Sequence, residues 1–137
     1  MNANNGFVYV RQNEIYEIDK ICKLGKTKNI YDSDNNYAND EFRRGNFGLI
    51  IEILNNQQYD DTYVEKILQK YFKNYHSKTD GGDDFYQNKI IDEIVPFLSN
   101  TSIKFKVLTE EEINFLIQQE KIRKLRDLLK KFFYNKY

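Results

Sequence analysis

Residues 47–54, Phe-Gly-Leu-Ile-Ile-Glu-Ile-Leu, constrain this chain more than any other segment. The run is nearly all apolar and carries the strongest β-signal in the sequence, with one charge, Glu52. A strand without an obvious polar face needs cover on both sides, as a central strand has. The chain must therefore supply neighbouring strands and helices to lie against them. At 137 residues it is long enough for one domain of ordinary size with a real core.

The partner strands are legible upstream. Residues 6–10, Gly-Phe-Val-Tyr-Val, are a run of β-formers, and residues 20–24, Lys-Ile-Cys-Lys-Leu, alternate apolar and polar up to Gly25. The polar stretch 11–18 between them reads as a turn, so the two strands are expected to pair as an antiparallel hairpin. A short helix is expected within 26–37, capped by Thr27. Downstream, 55–60 reads as a turn, and a helix starts at Asp60 or Asp61, where acidic side chains favour the positive end. Its apolar stripe is Val64, Ile67, Leu68, Tyr71 and Phe72. A loop follows at 77–84 with Gly81-Gly82, then a brief strand at Phe85-Tyr86. A helix over 89–98 presents Ile90, Ile91, Ile94 and Val95, with Pro96 near its end, and an edge strand is expected at 103–108.

Thr109 and Glu112 form a capping-box pattern that opens a last helix. Its apolar positions are helical, except that Ile117 to Ile122 is a five-residue step that breaks the stripe once. Residues 118–137 carry seven Lys/Arg against Glu120 and Asp127, whereas 1–108 has a net charge of −2. This divides the chain into a compact unit, 1–108, and a basic amphipathic helix or linker, 109–137. That helix reads as a solvated face, a grip on DNA, or a connection to a further domain or partner. The predicted fold class is α+β: a small mixed or antiparallel sheet of three or more strands, flanked by helices, with a C-terminal helix. Ile50, Ile53, Ile67, Leu68, Ile91 and Ile94 are the expected core.

Composition removes several functions. Equal numbers of basic and acidic side chains, 21 each, exclude a histone-like protein but not a local basic patch. A single cysteine, Cys22, excludes an internal disulfide, and a single histidine, His76, excludes multi-histidine metal sites. No apolar run approaches the ~18 residues of a membrane span, and the N-terminus lacks the pattern of a signal peptide. An intracellular setting and no membrane partner are therefore expected. Asn, Lys, Ile and Tyr make up 58 of 137 residues, all with A/T-rich codons, which hints at a viral, parasite or low-GC bacterial source.

Three places hold the groups that could carry chemistry. Tyr9 lies on the first strand and Lys23 on the second, ahead of Gly25, which would let the backbone turn sharply. Glu65 lies near the start of the apolar helix stripe. A phenol, an ammonium and a carboxylate converging on one sheet face suit metal-assisted phosphodiester hydrolysis. The carboxylate would hold the cation, the phenol orient or deprotonate water, and the lysine offset charge in the transition state. Arg43 and Arg44, between Phe42 and Phe47, read as a phosphate contact or a simple polar turn. His76 is a surface or C-cap residue or a proton shuttle, and Cys22 a small buried hydrophobe.

Phe7-Val8-Tyr9, then Lys23-Leu24-Gly25 about a dozen residues on, then Lys-Thr-Lys-Asn at 26–29 and the helical Glu65, resemble the GIY-YIG nuclease superfamily. The likeness is to the branch of phages and large DNA viruses whose second motif reads Lys-Ile-Gly, and it covers residues 6–108. It implies a DNA endonuclease using Mg²⁺ or Mn²⁺ and working inside a host cell, in cytoplasm or nucleus. Tyr9 would be the general base or water-orienting group, Lys23 would stand near the attacking water, and Glu65 would ligate the metal. Lys26, Lys28, Arg43 and Arg44 would meet DNA. The family's helix arginine falls here at Ser33, a clear departure, since serine has no forked cation to offer phosphate. Either Arg43 or Arg44 fills the gap, or the chain is catalytically weak, or Ser33 is an introduced substitution. Asn88 is the candidate for the family's late asparagine, and Asp83-Asp84-Phe85-Tyr86 is similar to its acidic-aromatic segment. The alternative is a non-catalytic nucleic-acid-binding or protein-interaction module on the same fold.

Overall fold

The computed structural model describes residues 5–54, 58–77 and 84–136. Five strands form one antiparallel sheet: β1 (Gly6–Gln12), β2 (Ile21–Thr27), β3 (Asn46–Ile53), β4 (Phe85–Gln87) and β5 (Phe105–Val107), in the order β4-β2-β1-β3-β5. The helices are α1 (Glu14–Ile18), α2 (Ile30–Asp40), α3 (Asp61–Tyr71), α4 (Ile91–Ser99) and α5 (Glu110–Lys136), with 3₁₀ turns at 73–75 and 88–90. The α+β class expected from the sequence is what forms. The turn expected at 55–60 falls partly outside the described residues, as does most of the 77–84 loop, with Gly81-Gly82 and Asp83.

Alternation along β1 sets the two layers. Val8 and Val10 turn to one face, with Cys22, Leu24, Ile51 and Ile53 from the neighbouring strands, against Val64 and Leu68 of α3, Phe72, and Ile94 and Leu98 of α4. Tyr9 turns to the other face, with Ile50, Ile30 and Leu108, under α2 and the first turns of α5 through Tyr37, Ile113, Leu116 and Ile117. Of the expected core, Ile50, Ile53, Leu68 and Ile94 are fully buried, whereas Ile67 and Ile91 are half-buried in the surrounding shell.

Several local expectations change. The strand at 47–54 is, as expected, interior and covered on both faces, lying between β1 and β5, but the middle place in the sheet belongs to β1. Residues 14–18 form a one-turn helix rather than a loop, because Asn13 accepts the Tyr16 N–H and caps it. The cap of α2 is Asn29, which accepts the Asp32 N–H, and not Thr27. Thr27 instead donates to the Asn29 carbonyl at 2.9 Å. β2 does not stop at Gly25 but runs through it to Thr27, in register with Phe7. The 89–98 helix begins at Ile91 after a 3₁₀ turn, and the last strand is confined to Phe105–Val107. Thr109 and Glu112 do close the capping box: the Thr109 N–H donates to Glu112 and the Glu112 N–H to Thr109 Oγ1.

Arg11 continues the Phe7–Tyr9 face of β1 and is completely buried. Its guanidinium donates to Asp34 of α2 at 2.8 Å and to both Glu41 oxygens, at 2.6 and 3.2 Å. Arg44 pairs with the second Asp34 oxygen. Arg11 also lies 4.9 Å from the Phe47 ring centre and 5.2 Å from that of Tyr37. Two cations and two carboxylates thus balance within the layer. Arg11→Ala would leave Asp34 and Glu41 buried with half their charge unanswered, and is expected to cost about 3–5 kcal/mol in urea unfolding.

The same cluster gives an acid limit. Burial raises the Glu41 pKa, but hydrogen bonds from Arg11, Asn13 and the Gly45 N–H outweigh it and hold the carboxyl below its ordinary value. A carboxyl depressed by folding stabilises the protein above its unfolded pKa, near 4.5, and loses that contribution as pH falls through its folded value. Unfolding midpoints are therefore expected to drop below about pH 4.5, and less steeply in Glu41→Gln.

Candidate active site

A cleft of about 570 Å³ opens between α1, α2 and the sheet face that carries Tyr9. Tyr9, Lys23, Ser33 and Arg43 all line it, so four of the residues singled out in the sequence share one concavity. Tyr37, Tyr16 and Phe42 add an aromatic wall.

Tyr9 forms the floor. Its register partner on β2 is Gly25, and a Cβ at Gly25 would run into the Tyr9 hydroxyl and stand 2.5 Å from Cζ. The motif glycine is therefore required by the tyrosine of the neighbouring strand, not by a turn. Edge-on contacts with Phe47 at 5.2 Å and Tyr37 at 5.8 Å fix the ring. The Tyr9 and Tyr37 hydroxyls are 2.6 Å apart. Burial, then the charges of Glu65 and Asp84, raise the Tyr9 pKa above 10, against the Tyr37 hydrogen bond and Arg11, which lower it. At neutral pH Tyr9 is a phenol, suited to orienting water rather than to serving as a ready-made base. Burial raises Tyr37 further, and its bond to Tyr9 adds to the rise.

Lys23 reaches over this floor, with Nζ 5.2 Å from the Tyr37 ring centre and 5.6 Å from that of Phe85. Ser33 stands on the second turn of α2, and its hydroxyl donates to Thr27 Oγ1 at 2.8 Å. Arg43 lines the rim, mostly exposed, 3.6 Å from Glu14. Arg44 turns to the opposite side of α2 and is engaged by Asp34, so of the two arginines only Arg43 faces the cleft.

Glu65 lies outside the cleft lining, on α3, but its charge reaches Tyr9 and Tyr86. Burial raises its pKa, Asp84 and Asp61 add to the rise, and Lys26 counters it. The Lys26 ammonium donates to Thr62 at 2.7 Å and that of Lys28 to Asp61 at 2.7 Å, so the two cations tie β2 and the residue after it to the start of α3. His76 bridges to Tyr86 through its backbone and packs edge-on against that ring at 5.2 Å. Asn88 opens the 3₁₀ turn after β4, its N–H donating to the Lys20 carbonyl. Neither lines the cleft. Burial pushes the Cys22 thiol up to about 12, which suits a packing role.

Glu65 and Asp84 fit a hard divalent cation by donor type. Both offer oxygen only, and such a cation would relieve the repulsion that Asp84 adds to the rise burial causes at Glu65. Among the described residues no three His, Cys, Asp or Glu gather as a ready cage. Mg²⁺ commonly needs only one or two carboxylates, with water and phosphate oxygens completing its shell.

Sequence reading missed Tyr37, the charge that Asp84 exerts on Glu65, and the α1 wall. Tyr37 has a signal in retrospect, since it lies one helical turn beyond Ser33 and so on the same side of α2. Comparison with protein-family models, with curated proteins and with solved structures finds no match.

The Tyr9–Gly25 contact yields a direct test. Gly25→Ala is expected to destabilise by about 1–3 kcal/mol, because the ring cannot move aside without disturbing Phe47 and Tyr37. Adding Tyr9→Phe should recover only part of the loss, since Cζ remains in the way. Chemical denaturation of the two variants measures both effects.

Proposed function

We propose that the chain is a divalent-metal-dependent endonuclease acting on DNA, in the manner of the GIY-YIG nucleases it resembles. The observation that carries this reading is the shared cleft: Tyr9 laid over Gly25 on its floor, with Lys23 and Ser33 on its walls. Glu65 and Asp84 would hold Mg²⁺ or Mn²⁺, which neutralises phosphate charge when bound. Tyr9, kept neutral and braced by Tyr37, orients the attacking water. Lys23 offsets charge on the phosphoryl oxygens, and Arg43 at the rim meets the DNA backbone. The work is placed inside a cell, in host cytoplasm or nucleus if the gene is viral. No described helix is long and apolar enough to cross a membrane.

A second reading, a nucleic-acid-binding or interaction module without chemistry, is favoured by Ser33. Its hydroxyl is spent on Thr27 in the place where a forked cation would grip the scissile phosphate. Nicking of supercoiled plasmid separates the two. The endonuclease reading expects slow nicking with Mg²⁺ or Mn²⁺, abolished by chelation and by Glu65→Gln. Ser33→Arg is expected to accelerate it by up to about 10²–10³, the worth of one preorganised contact to transition-state charge. Plasmid binding without cleavage, in the chain and in Ser33→Arg alike, would establish the module instead.

A further inference from the structure

Helix α5 has two apolar faces, and the domain covers only one. Ile113, Leu116 and Ile117 pack onto the Tyr9 face of the sheet, and Lys124 pairs with Asp32 on the same side. The five-residue step from Ile117 to Ile122 turns the apolar positions by about 140° beyond a full turn. Ile122, Leu125, Leu129 and Phe132 therefore face away from the domain. Phe115 joins them, being 61% exposed although its neighbours Leu116 and Ile117 are packed against the core. Ile122 to Phe132 are between 48% and 62% exposed at these positions.

The spacing 115, 122, 125, 129, 132 is that of a coiled-coil seam, with Gln118 at its one polar position. The seam is about 25 Å long at 1.5 Å per residue. Charge is split along the helix: residues 110–120 hold Glu110, Glu111, Glu112 and Glu120 and no cation, whereas 121–136 hold seven cations and Asp127. We infer that the occupant of this face is the α5 of a second copy of the chain, lying antiparallel.

In that arrangement Phe115 of one copy meets Phe132 of the other, and Ile122 meets Leu125, each layer repeated by the two-fold axis. In this register the cation-free residues 110–120 of each helix run along residues 127–136 of the partner, which hold Lys130, Lys131 and Lys136, while residues 121–126 run along their own counterparts. Lys121 faces Leu128 across the seam and Arg126 faces Gln119, so neither cation is set against another across the seam. A parallel pair would set Lys121 against Arg126 and place the two basic halves side by side. The two domains lie on the outer sides of the helix pair, because the seam points away from both.

Light scattering on the full chain, eluted over a range of concentrations, tests the inference. A mass of about twice the 16.5 kDa chain is expected at the upper end. A monomer at every concentration overturns it, whether or not that monomer floats with phosphatidylglycerol vesicles, the result expected if lipid were the occupant. Leu125→Glu with Leu129→Glu should weaken association by about 100-fold or more. Both positions are exposed in the single chain, so the circular dichroism and melting of the domain should stay unchanged. Orientation is read by mixing single Phe115→Cys and Phe132→Cys variants under mild oxidation, with the native Cys22 buried. Disulfides between the two different variants are expected, and disulfides within each variant alone would overturn the antiparallel arrangement.

Discussion

The buried guanidinium of Arg11 is the constraint around which the cleft is arranged. A charge taken wholly out of water is tolerated only with close, hydrogen-bonded partners. Asp34 supplies one from the middle of α2 and Glu41 the other from its C-terminal cap, and Arg44 restores neutrality from the exposed side. Satisfying Arg11 therefore fixes α2 over β1, at one height and one rotation. That rotation lays Tyr37 against Tyr9 and turns Ser33 toward Thr27. Replacing the cluster by hydrophobic side chains of similar volume could preserve stability, as buried ion pairs elsewhere allow. Apolar packing would not dictate the rotation of α2 so narrowly, and the hydroxyl pair on the cleft floor depends on that rotation.

The same cluster explains what sequence could and could not give. Strands and helices with a strong period were legible, because burial of Val8, Ile51, Val64 and Ile94 enforces the period. Arg11 was hidden by its own chemistry. A charged residue after Val10 reads as the end of a strand, and only its partners 23 and 30 residues away make it core. Residues 14–18 were hidden for a related reason, since one capped turn is too short to show periodicity. Asn29 and Thr27 are both good caps, and their rivalry was decided by the strand continuing to Thr27, which left Asn29 as the first residue free to turn.

For the candidate site, the short motifs held more than their chemistry. Tyr9 and Gly25 are a single packing unit across two strands, so the distance between the motifs is the length of the hairpin that joins them. A dozen residues suffice for α1 and the reversal at Lys20, whose positive φ of 58° ends that helix. Glu65 came from the helix pattern alone, and its link to Tyr9 through charge was beyond any spacing rule. Ser33 was located by counting, and α2 carries it to the cleft wall, where its hydroxyl bonds Thr27. Tyr37 stayed invisible because it matters through a partner remote in sequence, and Asp84 was legible only as part of the acidic-aromatic segment, not for its charge on Glu65.

The five-residue step in α5 shows how one irregularity can carry two requirements. An unbroken stripe over residues 110–136 would have placed every apolar side chain of the helix on the domain side. The sheet offers contacts there only as far as Ile117 and leaves the distal half beyond its edge, with Lys124 and Asp32 as the last tie. Continuing the stripe would have aimed the distal apolar residues at the flank of the same chain, with nothing to receive them. Turning the stripe by more than a third of a revolution gives the distal half an independent face. It also brings Phe115 from the proximal half into line with Phe132 from the distal half. A face that draws on both halves of one helix, with opposite charge at its two ends, is complementary to its own reverse.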